Sequence, residues 1–551
     1  MRLRRDLAVP LLLLCACAGP APIGPAPAAT VAAIAAQDLR QRLFTFAADS
    51  MRGRETGTIG NVKGTDYIAA EFRRLGLEPA GDNGTYFQTV PLVNLSPDST
   101  SVIRIGSRAL TIWRDFAPYL IDSTRSLEGV QAVYGGALTD TSTWIAPKEM
   151  TGRIVVLSVP AGQRTYLPFG VLTQLPRFAG ALAVAAGELE LLPPQISGPE
   201  NAATLVVRGP ASKGPFQLVL SPAATTALLG GPIGGLVPGR LGPALSGSVV
   251  VRADPLPAPA RNVVAILPGS DPRLKGEYVA LGAHNDHLGP APHPVDHDSL
   301  RAFNRVIRPR GADSPERRAT PAEQASIRAE LDSLRRLHPP RPDSVYNGAD
   351  DDGSGTVALL EIAEAAARTP QRPRRSLLFV SHTGEEEGVF GSGYFVEHPT
   401  VPRDSIVAQL NMDMIGRGDA ADVPGGGASY LQVIGSRRLS TELGDLAERV
   451  NAEGKHGFRF DYSLDAPGQP EQVYCRSDHT EYARFGIPII FVTTDLHEDY
   501  HQVTDEPEYI DYVKLARVAG LVDDLALRVA NLDHRVVVDH AKPDPNAPCR
   551  Q

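Results

Sequence analysis

The chain has 551 residues, 42% of them hydrophobic and 21% charged, with a formal net charge of -9. That length exceeds one ordinary core, so two or more folding units are expected. The composition describes a globular body, and the modest negative charge argues against nucleic acid as a partner.

The chain opens with a basic stretch, Met1-Arg2-Leu3-Arg4-Arg5, followed by an apolar run to Leu14 that is too short to span a bilayer. An export signal over residues 1–16 is expected. Leu14-Cys15-Ala16-Cys17 resembles the bacterial lipobox, which implies cleavage before Cys17 and a lipid on it; Cys15 departs from the small residue usual at its position. The Ala/Pro-rich residues up to 36 read as a tether. The expected location is the cell envelope, lipid-anchored and facing the periplasm, or outside the cell, with the anchor as the only membrane contact. Beyond the leader stand Cys475 and Cys549, enough for at most one intramolecular disulfide, whose formation the sequence leaves open.

From Asp38 to Leu75, Leu39, Leu43 and Phe46, then Tyr67, Ile68, Phe72 and Leu75, recur at helical spacing, and Gly76 closes the second helix. The polar loop between them, Asp49 to Gly57, reads as a connector. Residues 97–256 change character to short β-like runs broken by Gly and Pro, such as Ile154-Val155-Val156-Leu157 and Ser248-Val249-Val250-Val251, which predicts an inserted β-rich domain. The main domain is expected over 37–96 and 257–535.

From Arg261 strands alternate with helices, as a doubly wound α/β sheet, mostly parallel with helices on both faces, requires. Four apolar runs lead into polar groups: Tyr278 to Ala283 into His284-Asn285-Asp286-His287, Leu377 to Val380 into Glu385-Glu386-Glu387, Ile406 to Met412 into Asp413, and Ile489 to Val492 toward His497, Tyr500 and His501. If these are neighbouring parallel strands, the polar groups gather beyond one sheet edge. A loop, Asn347 to Gly355, adds Asp350, Asp351 and Asp352 before a helix over 354–368. The stretch 288–346, with a charged helical segment around 322–337, reads as a solvated surface insertion, the alternatives being a cover for the site mouth or a self-association element. An amphipathic helix over 511–530 precedes a polar tail, 536–551, expected to fray.

Taken together, Ala283-His284-Asn285-Asp286-His287, Gly348 to Gly355, Glu385-Glu386-Glu387-Gly388, Asn411-Met412-Asp413-Met414 and Tyr500-His501 resemble, in identity and order, the motifs of the two-zinc aminopeptidases of metallopeptidase family twenty-eight. Met51 to Gly57 resembles that family's opening segment, and the inserted domain is similar, more weakly, to a protease-associated domain. The resemblance implies two zinc ions, His284 and Asp413 on one, Glu386 and His501 on the other, with Asp351 bridging. It implies that Glu385 is the general base, that Asp286 orients His284 from outside the ligand set, and that Tyr500 either donates to an oxyanion or packs. His287 and His479 are expected beside the ligands, and His382, His398 and His456 as ordinary core or surface residues. The implied function is an exopeptidase acting on the N-termini of peptides; the alternatives are a carboxypeptidase or glutaminyl cyclase on the same scaffold, or a receptor-like binding protein.

Overall fold

The computed structural model describes residues 30–119, 121–159, 175–188, 203–209, 214–337 and 339–551; the expected leader, Cys17 and the start of the tether lie outside them. The chain divides into two compact units, Met1–Thr89 with Arg261–Gln551, and Val90–Ala260.

The Val90–Ala260 unit is wider than the 97–256 expected from composition. Its boundary strands explain the earlier start: Leu92–Pro97 pairs antiparallel with both Thr204–Val207 and Val251–Pro255, so residues before 97 belong to this unit's sheet. The β-rich character is as expected. Within its six-stranded sheet, however, Gln131–Ala137, Ile154–Ser158, Ala183–Gly187 and Phe216–Leu220 run parallel, and a helix, Pro222–Leu229, is capped by the Ser221 hydroxyl accepting from the Ala224 N–H.

The other unit begins with α1 (Ala36–Phe46) and α2 (Ile59–Leu75). Gly76 ends α2 in the left-handed conformation, φ 74°, its N–H returning to the carbonyls of Phe72 and Arg73. The strands follow: β1 (Ala260–Leu267), β2 (Tyr278–His284), β3 (Ser376–His382), β4 (Ile406–Met412), β5 (Tyr430–Ile434), β6 (Arg459–Asp461) and β7 (Ile489–Thr493). Helix α3 (Gly355–Arg368) lies between β2 and β3 in sequence, and α4 (Tyr512–Ala530) follows β7. In the sheet they stand in the order β1-β3-β2-β4-β7-β5-β6. The inner four, β3, β2, β4 and β7, are parallel, whereas β1 and β5 join antiparallel, so the sheet is mixed and its parallel part is the centre.

Successive residues of the inner strands face opposite sides, and both sides are covered. Val279, Leu281 and Ala283 of β2 enter one core with Leu43, Phe46, Phe72, Leu359 and Val518, whereas Ala280 enters a second with Val264, Val380, Phe395 and Tyr482. This double burial is why the strands read as unbroken apolar runs. The register aligns the carboxyl ends: His284 stands opposite His382, and Met412 opposite Val492.

One buried cation joins the helices on the first face. Arg42 of α1 is fully buried and pairs with Glu71 of α2 and with Glu361 (3.0 Å) and Glu364 (2.6 Å) of α3. Removing one partner of a buried ion network leaves charge without compensation. Arg42→Met should therefore lower unfolding stability by about 3–5 kcal/mol in thermal or denaturant melts, and a loss below about 0.5 kcal/mol would show that the network is neutral.

Candidate metal centre

His284 is the last residue of β2. Its backbone N–H donates to Asp352 Oδ2 at 2.9 Å and its carbonyl accepts from the Thr356 hydroxyl at 2.6 Å, fixing the residue between strand and loop. Its Nδ1 lies 3.2 Å from the Asp286 carbonyl oxygen. A nitrogen facing a carbonyl must donate, so the neutral ring keeps its lone pair on Nε2. That Nε2 lies 3.1 Å from Asp351 Oδ1 and 3.8 Å from Asp413 Oδ1.

The other oxygen of Asp351 faces a second group. Asp351 Oδ2 is 3.1 Å from His501 Nε2, which is also 2.9 Å from Glu386 Oε2. One carboxylate therefore stands between His284 with Asp413 on one side and His501 with Glu386 on the other, so all five residues expected to hold metal come together. Burial alone would raise the pKa of Asp351, yet the flanking imidazoles of His284 and His501, when protonated, hold it well below the usual carboxylate range. The same carboxylates push His501 up to about 10 against the effect of its burial.

Glu385, Tyr500, Asp351, Glu386, Asp413 and His501 line one cavity of about 70 Å³, whose remaining wall includes the apolar side chains of Met414, Leu464, Val473, Phe491 and Leu496. The Tyr500 hydroxyl accepts from Arg476 Nη2 at 3.1 Å, leaving its own hydrogen to point elsewhere, and its ring stacks on His501. Burial raises the Tyr500 pKa well above its ordinary value, so it stays protonated. Loss of solvent likewise raises that of Glu385, with Asp413 and Glu386 adding to the effect and His284 opposing it.

Asp286 does more than orient His284. Its carboxylate lies 3.7 Å from His284 Nδ1, but its oxygens also accept from the Thr56 hydroxyl (3.1 Å) and from the backbone N–H groups of Glu385 (3.3 Å) and Glu386 (3.4 Å). It thus holds the turn that presents both glutamates. His287 Nδ1 bonds directly to Glu386 Oε1, beside the ligands as expected. Asp352 lies within reach of His284 and Asp413 as a possible ligand, but its oxygens accept from three backbone N–H groups, those of His284, Gly355 and Met414, which leaves Asp351 as the carboxylate shared by the two groups.

Of the other histidines, His382 is buried against Tyr482, while His398 and His456 lie nearer the surface, as expected. His479 packs on Phe491, and burial pushes its pKa down to about 3, so it is neutral.

Two residues that hold the loops were not singled out from sequence. The Asp505 carboxylate accepts from the N–H groups of Asp350 (3.0 Å) and Asp351 (3.1 Å). Arg54, in the loop read as a connector, is fully buried. Its guanidinium donates to four carbonyl oxygens, those of Asn285 (3.2 Å), Phe46 (3.1 Å), Asn347 (2.6 Å) and Gly348 (2.9 Å), joining the segment after β2 to the aspartate loop. The Arg-Gly-Arg spacing in a loop resembling a family motif was the available signal.

The 288–346 stretch is not wholly a solvated insertion. Its helix Pro321–Arg335 has no buried residue, but the Ala312 N–H donates to the Tyr500 carbonyl at 3.0 Å, and Asp313 accepts from Arg476 at 2.6 Å. Gly311 has φ 54°, and a Cβ there would stand 2.2 Å from the Tyr500 oxygen, so only glycine permits this approach.

Residues 262–526 match the family model of Peptidase family M28. Among curated relatives, leupeptin-inactivating enzyme 1 of Streptomyces exfoliatus is 43% identical over 77 residues, 13% of this chain and 18% of that protein. A probable leucine aminopeptidase of Trichophyton verrucosum is 26% identical over 244 residues, 43% of this chain and 60% of that protein. The chain thus spans less than two thirds of the length of these relatives. Among solved structures, an aminopeptidase from Aneurinibacillus sp. strain AM-1 is 16% identical with a TM-score of 0.46, covering 93% of this chain and 97% of the other.

Arg54→Met leaves four carbonyls without their donor and removes a cation from among buried acids, which should cost about 3–5 kcal/mol. Arg54→Lys keeps the charge without the fork and should fall between. Melts of both variants, with and without added zinc, check this; a Met variant as stable as wild type would contradict it.

Proposed function

We propose that this protein is a zinc-dependent aminopeptidase that holds two zinc ions. The observation that carries the reading is the Asp351 carboxylate set between His284 with Asp413 and His501 with Glu386, one oxygen toward each histidine, with Glu385 on the same cavity. The M28 domain and the names of the relatives support it.

The donor set, imidazole nitrogens and carboxylate oxygens in two adjoining groups, fits zinc. His284 and Asp413 would hold one ion and Glu386 and His501 the other, with Asp351 shared by the two groups; His287, behind Glu386, orients it. When bound, zinc supplies Lewis acidity and makes water a competent nucleophile near neutral pH. The chain's residues do the rest. Glu385 takes a proton from water as its oxygen attacks the carbonyl carbon, then delivers that proton to the amine as the C–N bond breaks. The Tyr500 hydroxyl, oriented by Arg476, donates toward the oxygen on which charge develops. Met414, Leu464, Val473, Phe491 and Leu496 receive an apolar N-terminal side chain. The leader sequence supports export with lipid on Cys17, and the Val90–Ala260 unit reads as a protease-associated-like module.

Purified protein assayed on free and N-acetylated leucyl substrates, with zinc counted alongside, tests the reading. Cleavage of the free form only, with two zinc ions per chain, is expected; cyclisation of N-terminal glutamine with one zinc, or release of C-terminal residues, would overturn it. Glu385→Gln should lower turnover by about 10²–10⁴-fold while zinc is retained, whereas Glu386→Gln should lose zinc. Near wild-type turnover in Glu385→Gln would remove that residue from the mechanism.

A further inference from the structure

The segment after α4 does not fray. Val537 N–H donates to Glu442 at 2.8 Å, the Pro545 carbonyl accepts from Arg484 at 3.1 Å, and Cys549 is joined to Cys475 by a disulfide. Past the disulfide, the Gln551 amide donates to the carbonyls of Leu464 (2.5 Å) and Ala466 (3.2 Å) and accepts from the Tyr474 N–H (2.9 Å). The segment is therefore fastened at both ends of one stretch of chain, 464–475.

That stretch is a wall of the cavity. Leu464 and Val473 line it, each on a short 3-10 turn (Ser463–Asp465 and Val473–Cys475), and most of the chain between them is exposed. Other tethers exist: Asp465 pairs with Arg438, and Glu471 with Arg310. The disulfide is covalent and sits one residue from Arg476, which donates to the Tyr500 hydroxyl, and two from Ser477, which donates to Asp413 Oδ2 at 2.7 Å. Covalent closure removes conformations from an otherwise irregular loop, and a misplacement of about 1 Å in a positioning element can cost about 10²-fold in rate.

We propose that residues 536–551 form a strap that fixes this wall, so that the Cys475–Cys549 link sets selectivity for large apolar N-terminal side chains. The inference rests on the aminopeptidase reading. Residues Leu464 and Val473 touch the side chain of the first substrate residue, and the strap sets selectivity through them as a positioning element. Any effect through Arg476 and Ser477 falls on every substrate alike, so the leucyl-to-glycyl ratio reports the wall, which a glycyl substrate does not reach.

The test compares the full-length wild type with Cys475→Ser/Cys549→Ser and with Gln551→Ala, which keeps the disulfide. Measured quantities are kcat/KM on leucyl and glycyl amides, zinc content, and hydrogen exchange of 463–477 against β4 as internal control. The double variant should lower the leucyl-to-glycyl ratio of kcat/KM about tenfold, with zinc content and β4 exchange unchanged and faster exchange in 463–477; Gln551→Ala should show a smaller change in the same direction. A general loss of stability would lower both substrates together and raise exchange in β4 as well. An unchanged ratio in an active double variant overturns the strap while leaving the aminopeptidase reading intact. A wild type that cleaves neither substrate overturns that reading, and the strap with it. Should the double variant fail to fold, Gln551→Ala decides alone, an unchanged ratio there being the overturning result.

Discussion

The constraint on which the structure turns is the gathering of carboxylates in a place with little water. Asp286, Asp350, Asp351, Asp352, Asp413 and Glu386 lie together, and buried anions persist only when something answers their charge. Three answers are visible. Imidazoles flank Asp351, the Arg54 guanidinium sits among the acids, and several carboxylates are used up on backbone N–H groups. Asp351, Asp413 and Glu386 are the ones that line the cavity.

Parallel strands impose this arrangement and loops refine it. With β3, β2, β4 and β7 in one register, each strand delivers its following loop to the same edge, where an open α/β sheet leaves a crevice. Loops at that edge have no ladder to satisfy their backbone. Here Asp286, Asp352 and Asp505 serve as acceptors, so acids that touch no metal determine where the ligands stand. The turn at Gly311 presses on the Tyr500 backbone from the other side, which ties the 288–346 stretch to a residue that lines the cavity.

Much of this was legible in the sequence because it is local. The apolar runs were strands, since both faces of the sheet are buried, and the motif residues were one or a few positions past their ends. What depends on distant pairing was not legible. Arg54 finds acceptors at Asn285 and Gly348, which no local pattern announces, so its loop read as a connector. The start of the insert moved outward because Leu92–Pro97 pairs with Val251–Pro255, a long-range match that composition does not record. The antiparallel strands β1 and β5 are apolar runs like their parallel neighbours, so strand direction was not legible. The tail was polar and proline-rich, with Cys549 the single hint that it is fastened. His287 was placed beside the ligands, but only the fold brings its ring against Glu386.

Arg54 leaves the ribosome well before Asn285, Asn347 and Gly348, the residues whose carbonyls it will serve. Between them comes the Val90–Ala260 unit, whose strands pair with one another, so it can close while the main sheet does not yet exist. During that interval α1 and α2 carry Leu43, Phe46, Tyr67 and Phe72 without the sheet that later covers them. The nascent chain is then a folded bead behind an open apolar head, the kind of species that chaperones bind during synthesis. Completion of the other unit waits for β7 and His501, so a chain that stops short of them lacks part of the centre.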